Sequence, residues 1–283
     1  MPLSKLESQH AKLKRSASVA PLGGTVVVVR FLGSGNAFCP KGRLHSLVLI
    51  DEKILVDAPP TIIPQLKRAN LSPADINTLL ITHWHGDHIF GFPFFILERK
   101  YISDREGQNM LNVHLHEGGT SILTKLSELA FPNSLTDVLS ERIIFHEEMS
   151  GEVAGCPEWH YERFPVEHVP ETDPHGYQFH HTSGLTLLHS GDSGPCQEIE
   201  ERAGDADIVI IELGIPDGVP TETHYKPSTL SELANDNPHT IFLATHLFTT
   251  DDETIPDFPI NVIQVRDGDA FTLEKGGLVT KIN

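Results

Sequence analysis

Basic residues are scarce in this chain: 21 lysines and arginines against 39 aspartates and glutamates leave a formal net charge of −18. Phosphate backbones are bound through Lys and Arg with release of counterions, so this balance argues against a large RNA as substrate. Cysteine is scarcer still. Cys39, Cys156 and Cys196 provide neither an even disulfide framework nor a Cys-x-x-Cys pair, which makes a cytoplasmic location with reduced thiols the default expectation. A membrane-spanning run is lacking, and residues 1–24 show no continuous apolar core of a secretory signal, so no membrane partner is expected. No linker-like shift in composition divides the chain. With 283 residues, 39% of them hydrophobic, it can bury a large core. One domain is expected over residues 25–283, preceded by a tail over residues 1–24, where Ser4, Lys5, Lys12, Lys14, Arg15 and Ser16 sit among few apolar residues.

What the chain does have is histidine, 17 in all, and their placement is uneven. Thr82-His83-Trp84-His85-Gly86-Asp87-His88 packs four metal-capable side chains into six positions directly after the apolar run Leu79 to Ile81. Imidazole nitrogen and carboxylate oxygen are the usual zinc donors. The helical zinc motif, with His at i and i+4, does not fit His at i, i+2 and i+5, so a loop after a strand is expected. Four ligands are too many for one open ion served by a single loop. If His83 and His85 point one way and Asp87 and His88 another, the segment serves two ions, and such pairs act on phosphate and acyl centres. The remaining histidines carry no ligand-like spacing. His10, His45, His146, His160, His175, His180, His181, His189 and His239 are expected to be ordinary, and His114 and His116 are placed on the solvent face of one strand.

β-Branched and apolar runs predict strands at 25–32, 45–50, 53–57, 185–189, 207–212, 240–244, 262–265 and 270–273. Helices are predicted over 60–69, with Pro64 tolerable only in a first turn, and over 119–130. Strands flanked by helices in this order allow two packed sheets with ligands delivered from strand-end loops. The polar stretch 100–108 is expected to be a loop near the mouth. Phe94, Phe95 and Phe131 suit core packing, with a pocket or dimer face as the alternative. Cys196 is expected as a buried thiol at a helix start.

The motif and its surroundings resemble the metallo-β-lactamase superfamily, in particular its ribonuclease Z-like phosphodiesterase branch. His-x-His-x-Asp-His after a buried strand is similar to the superfamily signature. Arg30-Phe31-Leu32-Gly33-Ser34-Gly35 resembles the opening strand and turn, and Ile54-Leu55-Val56-Asp57 the strand that ends in an aspartate. Phe90-Gly91-Phe92-Pro93 resembles the start of the next helix. Val166-Glu167-His168 with His175-Gly176-Tyr177, Ser190-Gly191-Asp192-Ser193 and Ala244-Thr245-His246-Leu247 follow in family order. The resemblance implies an α/β (α+β) fold, a four-layer αββα sandwich, and homodimerisation. It also implies two divalent metal ions, zinc by donor type with Mn2+, Fe2+ or Ni2+ as alternatives. His83, His85 and His168 would hold one ion, Asp87, His88 and His246 the other, and Asp192 would bridge them around an acidified water. Asp57 is either a partner that orients a ligand histidine or a plain turn residue before Pro59-Pro60.

The same resemblance makes Glu212 and His224 a relay that protonates the leaving oxygen, so that Asp87, His224 and Glu212 form the expected catalytic set. The sequence after His224, Tyr225-Lys226, departs from the family pattern. Ribonuclease Z also inserts a long arm that grips the transfer RNA body, whereas residues 178–191 here offer a hairpin's length. A metal-dependent hydrolase is therefore expected, acting through a metal-bridging hydroxide on a small phosphodiester such as a cyclic nucleotide. The alternatives are another ester class (a lactone, thioester or sulfate ester), a ribonuclease Z-type endonuclease cutting RNA 3′ ends, and a non-catalytic metal-binding module.

Overall fold

A computed structural model describes residues 26–255 and 257–282, so the tail expected over 1–24 lies outside the described residues. The strands are β1 (Val27–Gly33), β2 (Leu47–Ile50), β3 (Ile54–Val56), β4 (Thr78–Leu80), β5 (Leu111–His114), β6 (Ile143–His146), β7 (Ser150–Val153), β8 (Cys156–Pro165), β9 (His175–His181), β10 (Thr186–His189), β11 (Ile208–Glu212), β12 (Ile241–Thr245), β13 (Val262–Gln264), β14 (Ala270–Glu274) and β15 (Leu278–Ile282). They form one sheet in the order β15-β14-β1-β2-β3-β4-β5-β6 and a second in the order β13-β12-β11-β10-β9-β8-β7. The helices are α1 (Ile62–Arg68), α2 (Gly86–Ile89), α3 (Phe92–Glu98), α4 (Gly119–Ala130), α5 (Thr136–Glu141), α6 (Gln197–Asp205) and α7 (Pro227–Asp236).

Alternation along the strands explains the layering, because successive side chains leave a strand on opposite faces. Ile54 and Val56 join Ile208 and Ile210 in a core between the sheets, together with Phe31, Trp159, Tyr177 and Phe179. The intervening Leu55 packs instead with Phe92, Phe95 and Leu123 beneath α3 and α4. Val209 and Ile211 pack with Leu230 and Leu233 of α7 on the far side. Helix, sheet, sheet and helix thus make four layers, as the resemblance implies.

Two runs of parallel strands matter for function. β3 to β6 pair in parallel in the first sheet, and β10 to β13 do so in the second. Loops leaving the carboxyl ends of β4, β10, β11 and β12 therefore gather at one edge of the sandwich, the usual place for a site in open α/β sheets.

Several expectations need correction. His114 and His116 are buried, not solvent-facing. The second sheet covers that face of β5, and His114 Nδ1 sits 3.1 Å from the Tyr161 hydroxyl. The 100–108 stretch lies away from the site. Arg99 donates to the carbonyls of Pro73 and Ile76, just ahead of β4, and the Arg142 side chain, just ahead of β6, donates to the carbonyl of Asp104. These contacts tie the segment to the amino ends of the parallel strands. Cys196 caps α6 but is only half-buried. Phe95 is core, whereas Phe94 is half exposed with its ring edge-on to Phe131 at 5.1 Å.

Candidate metal centre

Most side chains of the site come from strand ends and the loops that follow them, with Asp87 and His88 on a helix turn and His224 just ahead of α7. His83 and His85 lie on the loop after β4, Asp87 and His88 on the first turn of α2, and His168 follows β8. Asp192 follows β10, Glu212 ends β11, and His246 follows β12 with φ of 52°. His83, His88, His168, Asp192, Glu212 and His246 are buried, while His85, Asp87 and His224 are half-buried at the mouth. One ligand atom each from His83, His85, His168 and Asp192 lies within 4.8 Å of the others, and Asp87, His88, Asp192 and His246 form a second such group. Asp192 belongs to both. The loop does split its donors in two directions: His83 and His85 face one group, Asp87 and His88 the other.

Hydrogen bonds behind the rings decide which nitrogen faces inward. His168 Nδ1 donates to the Thr223 carbonyl at 2.8 Å. His88 Nδ1 donates to Asp57 Oδ2 at 2.7 Å. Thr82 donates its hydroxyl to Asp57 and lies 3.0 Å from His83 Nδ1, from which it accepts. With Nδ1 carrying the proton, Nε2 of each ring presents a lone pair to the interior. His83 Nε2 and His168 Nε2 each approach His85 Nδ1 to 3.1 Å. Two Nε2 lone pairs turned toward His85 Nδ1 make a place that fits a cation.

The second group fits one as well. His88 Nε2 is buried without a hydrogen-bond partner, yet stands 3.4 Å from Oδ2 of both Asp87 and Asp192. His246 Nε2 lies 3.4 Å from Asp87 Oδ2 and 3.3 Å from Asp192 Oδ2. Burial alone would depress His88, but the charges of Asp192, Asp57 and Asp87 outweigh it and raise its pKa. Burial would raise Asp192, and the cationic character of His246 and His88 pulls it down instead. The cage thus holds carboxylates ionised and calls for positive charge. Burial foremost keeps His83, His85 and His168 below the usual imidazole range, so they are neutral and ready to coordinate. Histidines and carboxylates in this arrangement fit divalent metal ions.

Glu212 and His224 sit beside the cage. His224 Nδ1 meets Glu212 Oε1 at 2.6 Å, and a second oxygen of Glu212 accepts from the Gly214 amide. Burial opposes charge on His224, but the hydrogen bond and charge of Glu212 prevail and raise it to about 9. Gly194 holds the segment that carries His224. A Cβ at Gly194 would lie 1.6 Å from the Glu222 carbonyl oxygen and 3.3 Å from the His224 amide. Gly194→Ala is therefore expected to displace His224 and lower turnover, and to weaken metal binding as well because the Thr223 carbonyl on the same segment accepts from His168 Nδ1, which parallel kinetics and metal analysis would check.

Sequence reading missed some neighbours. His189, passed over as ordinary, is buried behind the cage, and its burial depresses it to about 4. Thr82 links Asp57 to His83, and its place directly before the motif was the available signal. The expected turn aspartate Asp57 has φ of 69° and also orients His88, so both readings of it hold.

The fold and these donor groups define a metallo-β-lactamase-fold hydrolase that uses divalent metal ions. More narrowly, residues 27–254 match the family described as Anti-Pycsar protein Apyc1, and the chain belongs to that family. A ribonuclease Z from Pyrobaculum aerophilum is 24% identical over 227 residues, spanning 70% of this chain and 77% of the relative. Human tRNase Z, short form, superposes with a TM-score of 0.64 at 20% identity, covering 86% of this chain and 98% of that one. A diphosphatase from the PhnP family superposes with a TM-score of 0.65 at 20% identity, covering 86% and 96%.

Proposed function

We propose that this protein is a dinuclear metal-dependent phosphodiesterase whose substrate is a small phosphodiester, such as a cyclic nucleotide or another cyclic phosphate. The observation that carries this reading is the Glu212–His224 pair at 2.6 Å beside the double ligand group. A thiolate leaves a thioester without being protonated, whereas expelling an alkoxide from phosphorus gains from a cationic acid beside the leaving oxygen. His83, His85 and His168 would hold one ion, Asp87, His88 and His246 the other, and Asp192, whose Oδ2 faces histidines of both groups, would be shared between them. Zinc suits these donors best. When bound, the ions acidify a water and take up charge on the phosphoryl oxygens.

The chain's own residues do the rest. His224 carries a proton on Nε2, because Glu212 engages Nδ1, and delivers it to the departing oxygen. Glu212 keeps the ring in one orientation. A cavity of about 590 Å³ opens beside His224, lined by Glu167, Thr221, Glu222 and Lys226 among others, a size typical of small-molecule sites. The relatives named ribonuclease Z make RNA the competing substrate. Against RNA stand the net charge of −18 and the short hairpin between β9 and β10, paired from His180–Thr186 to Tyr177–His189.

The reading is tested by offering the zinc-loaded protein bis(p-nitrophenyl) phosphate, a lactone and a thioester side by side. Phosphodiester turnover is expected; turnover of only the lactone or thioester would overturn it. Asp57→Asn leaves one accepting oxygen where Asp57 uses two, Oδ1 for the Thr82 amide and Oδ2 for His88, and loss of such an outer partner costs roughly 10–100-fold in metal affinity. Titration with a competing chelator should show that weakening.

A further inference from the structure

Phe38, on the loop between β1 and β2, is 87% exposed, more than any other phenylalanine of the chain. The other exposed rings have neighbours. The half-exposed ring of Phe90 rests on Gly86, where a Cβ would come within 2.5 Å of it, and Phe94 stands edge-on to Phe131. Phe38 leaves nearly its whole ring in water. A single exposed apolar residue is ordinary on a surface; what sets Phe38 apart is where its backbone is held.

Asn36 fastens the near end of the loop to the site. Its amide donates to the carbonyl of Leu247, next to His246, at 3.2 Å. Its side-chain Nδ2 donates to the Gly214 carbonyl at 3.0 Å, and its Oδ1 accepts from the Phe38 amide at 3.1 Å. Gly214 lies against both histidines of the reacting side: a Cβ there would stand 2.9 Å from His224 Nδ1 and 3.3 Å from His246 Nδ1. Buried Arg43 closes the far end. Its amide donates to the Pro40 carbonyl at 2.8 Å, and its guanidinium to the carbonyls of Thr249 and Val265, both at 2.8 Å. The Lys41 carbonyl accepts from the Asp251 amide at 3.1 Å. Residues 36–43 are thus laid along the segment that leaves His246, which sets Phe38 at the rim of the ligand groups on a loop that is already ordered.

We propose that Phe38 is a specificity-determining residue whose ring stacks on the nucleobase of a cyclic nucleotide while the phosphate lies at the ligand groups. The inference rests on the phosphodiesterase reading. A phosphoryl group held at those buried atoms leaves the base of the same small molecule at the rim, beside the 36–43 loop. The loop is held but the ring is free, so rotation about χ1 can bring it over the base. Little ordering is then required on binding, because the backbone is already fixed. An acidic chain gains most from such a contact, since stacking draws on the π-face of the base and not on the phosphate charge. Every base has that face, so Phe38 favours nucleotides over phosphodiesters that lack a base, with little choice among bases.

The test compares kcat and KM of the zinc-loaded full-length protein, Phe38→Ala and Phe38→Trp on a cyclic nucleotide and on cyclic trimethylene phosphate, which has no base. Phe38→Ala is expected to raise KM for the nucleotide about tenfold, with a much smaller effect on kcat. The preference for the nucleotide over the base-free substrate, as a ratio of kcat/KM values, should fall by about the same factor. Phe38→Trp keeps a stacking face and should restore that preference. An unchanged nucleotide KM in Phe38→Ala, or an equal change for both substrates, would overturn the proposal. So would a change in oligomeric mass of Phe38→Ala on size-exclusion chromatography, which would make the ring part of an interface. Failure of the unmodified protein to hydrolyse either substrate would instead overturn the phosphodiesterase reading, and this inference with it.

Discussion

Asp192→Asn is expected to abolish measurable phosphodiester turnover and to release metal from both groups. Asp192 is the residue common to both sets of ligand atoms, and its Oδ2 lies 3.4 Å from His88 Nε2 and 3.3 Å from His246 Nε2. An amide keeps an acceptor oxygen but carries no charge, so it cannot balance two cations as the carboxylate does. Metal ions contribute several kcal/mol to charge stabilisation in such reactions, which corresponds to a loss of about 10³-fold or more. Metal analysis beside kinetics separates this from a folding defect. Retention of two ions with full turnover would remove Asp192 from the centre.

His224→Ala is expected to behave differently, losing rate while keeping its metal. Removing a positioned general acid costs roughly 10²–10⁴-fold, and the ligand groups do not depend on His224. A substrate with a good leaving group, such as p-nitrophenolate, needs less protonation and should lose less than a cyclic nucleotide. The pH profile gives an independent sign. His224 is raised to about 9 by Glu212, so the acid is present at neutral pH and is lost as pH rises through its pKa. Neighbouring divalent cations disfavour the imidazolium, so the alkaline limb should fall at or below that value. Glu212→Gln removes the charge that sustains it and should move the limb to lower pH. An alkaline limb that is unchanged in both variants would show that His224 is not the acid.

Much of the candidate site was legible because its candidate ligands sit in short motifs whose spacing reflects loop chemistry. His83, His85, Asp87 and His88 announce themselves within six positions, and the structure places them on both sides of one turn. His168, Asp192 and His246 came only through resemblance, since single residues at distant strand ends carry no local period. The fold was legible where apolar runs are continuous, as in β11 and β12, whose strands are buried on both faces. It was less so in β8, where Trp159 and Tyr161 point inward and Glu158, His160 and Glu162 outward. That alternation was present in the sequence but masked by polar and aromatic side chains of mixed character. The burial of His114 and His116 was not legible at all, because it depends on a second sheet laid over them from residues forty or more positions away.

Phosphorus NMR of a cyclic nucleotide incubated with the zinc-loaded protein, beside a transfer RNA precursor with a 3′ extension analysed on a gel, tests the central claim most directly. Conversion of the cyclic phosphate to its monoester, with the RNA left intact and no reaction in Asp192→Asn, is the expected result. Cleavage of the RNA with the cyclic nucleotide unchanged would contradict it and make this protein an RNA-processing enzyme despite its charge.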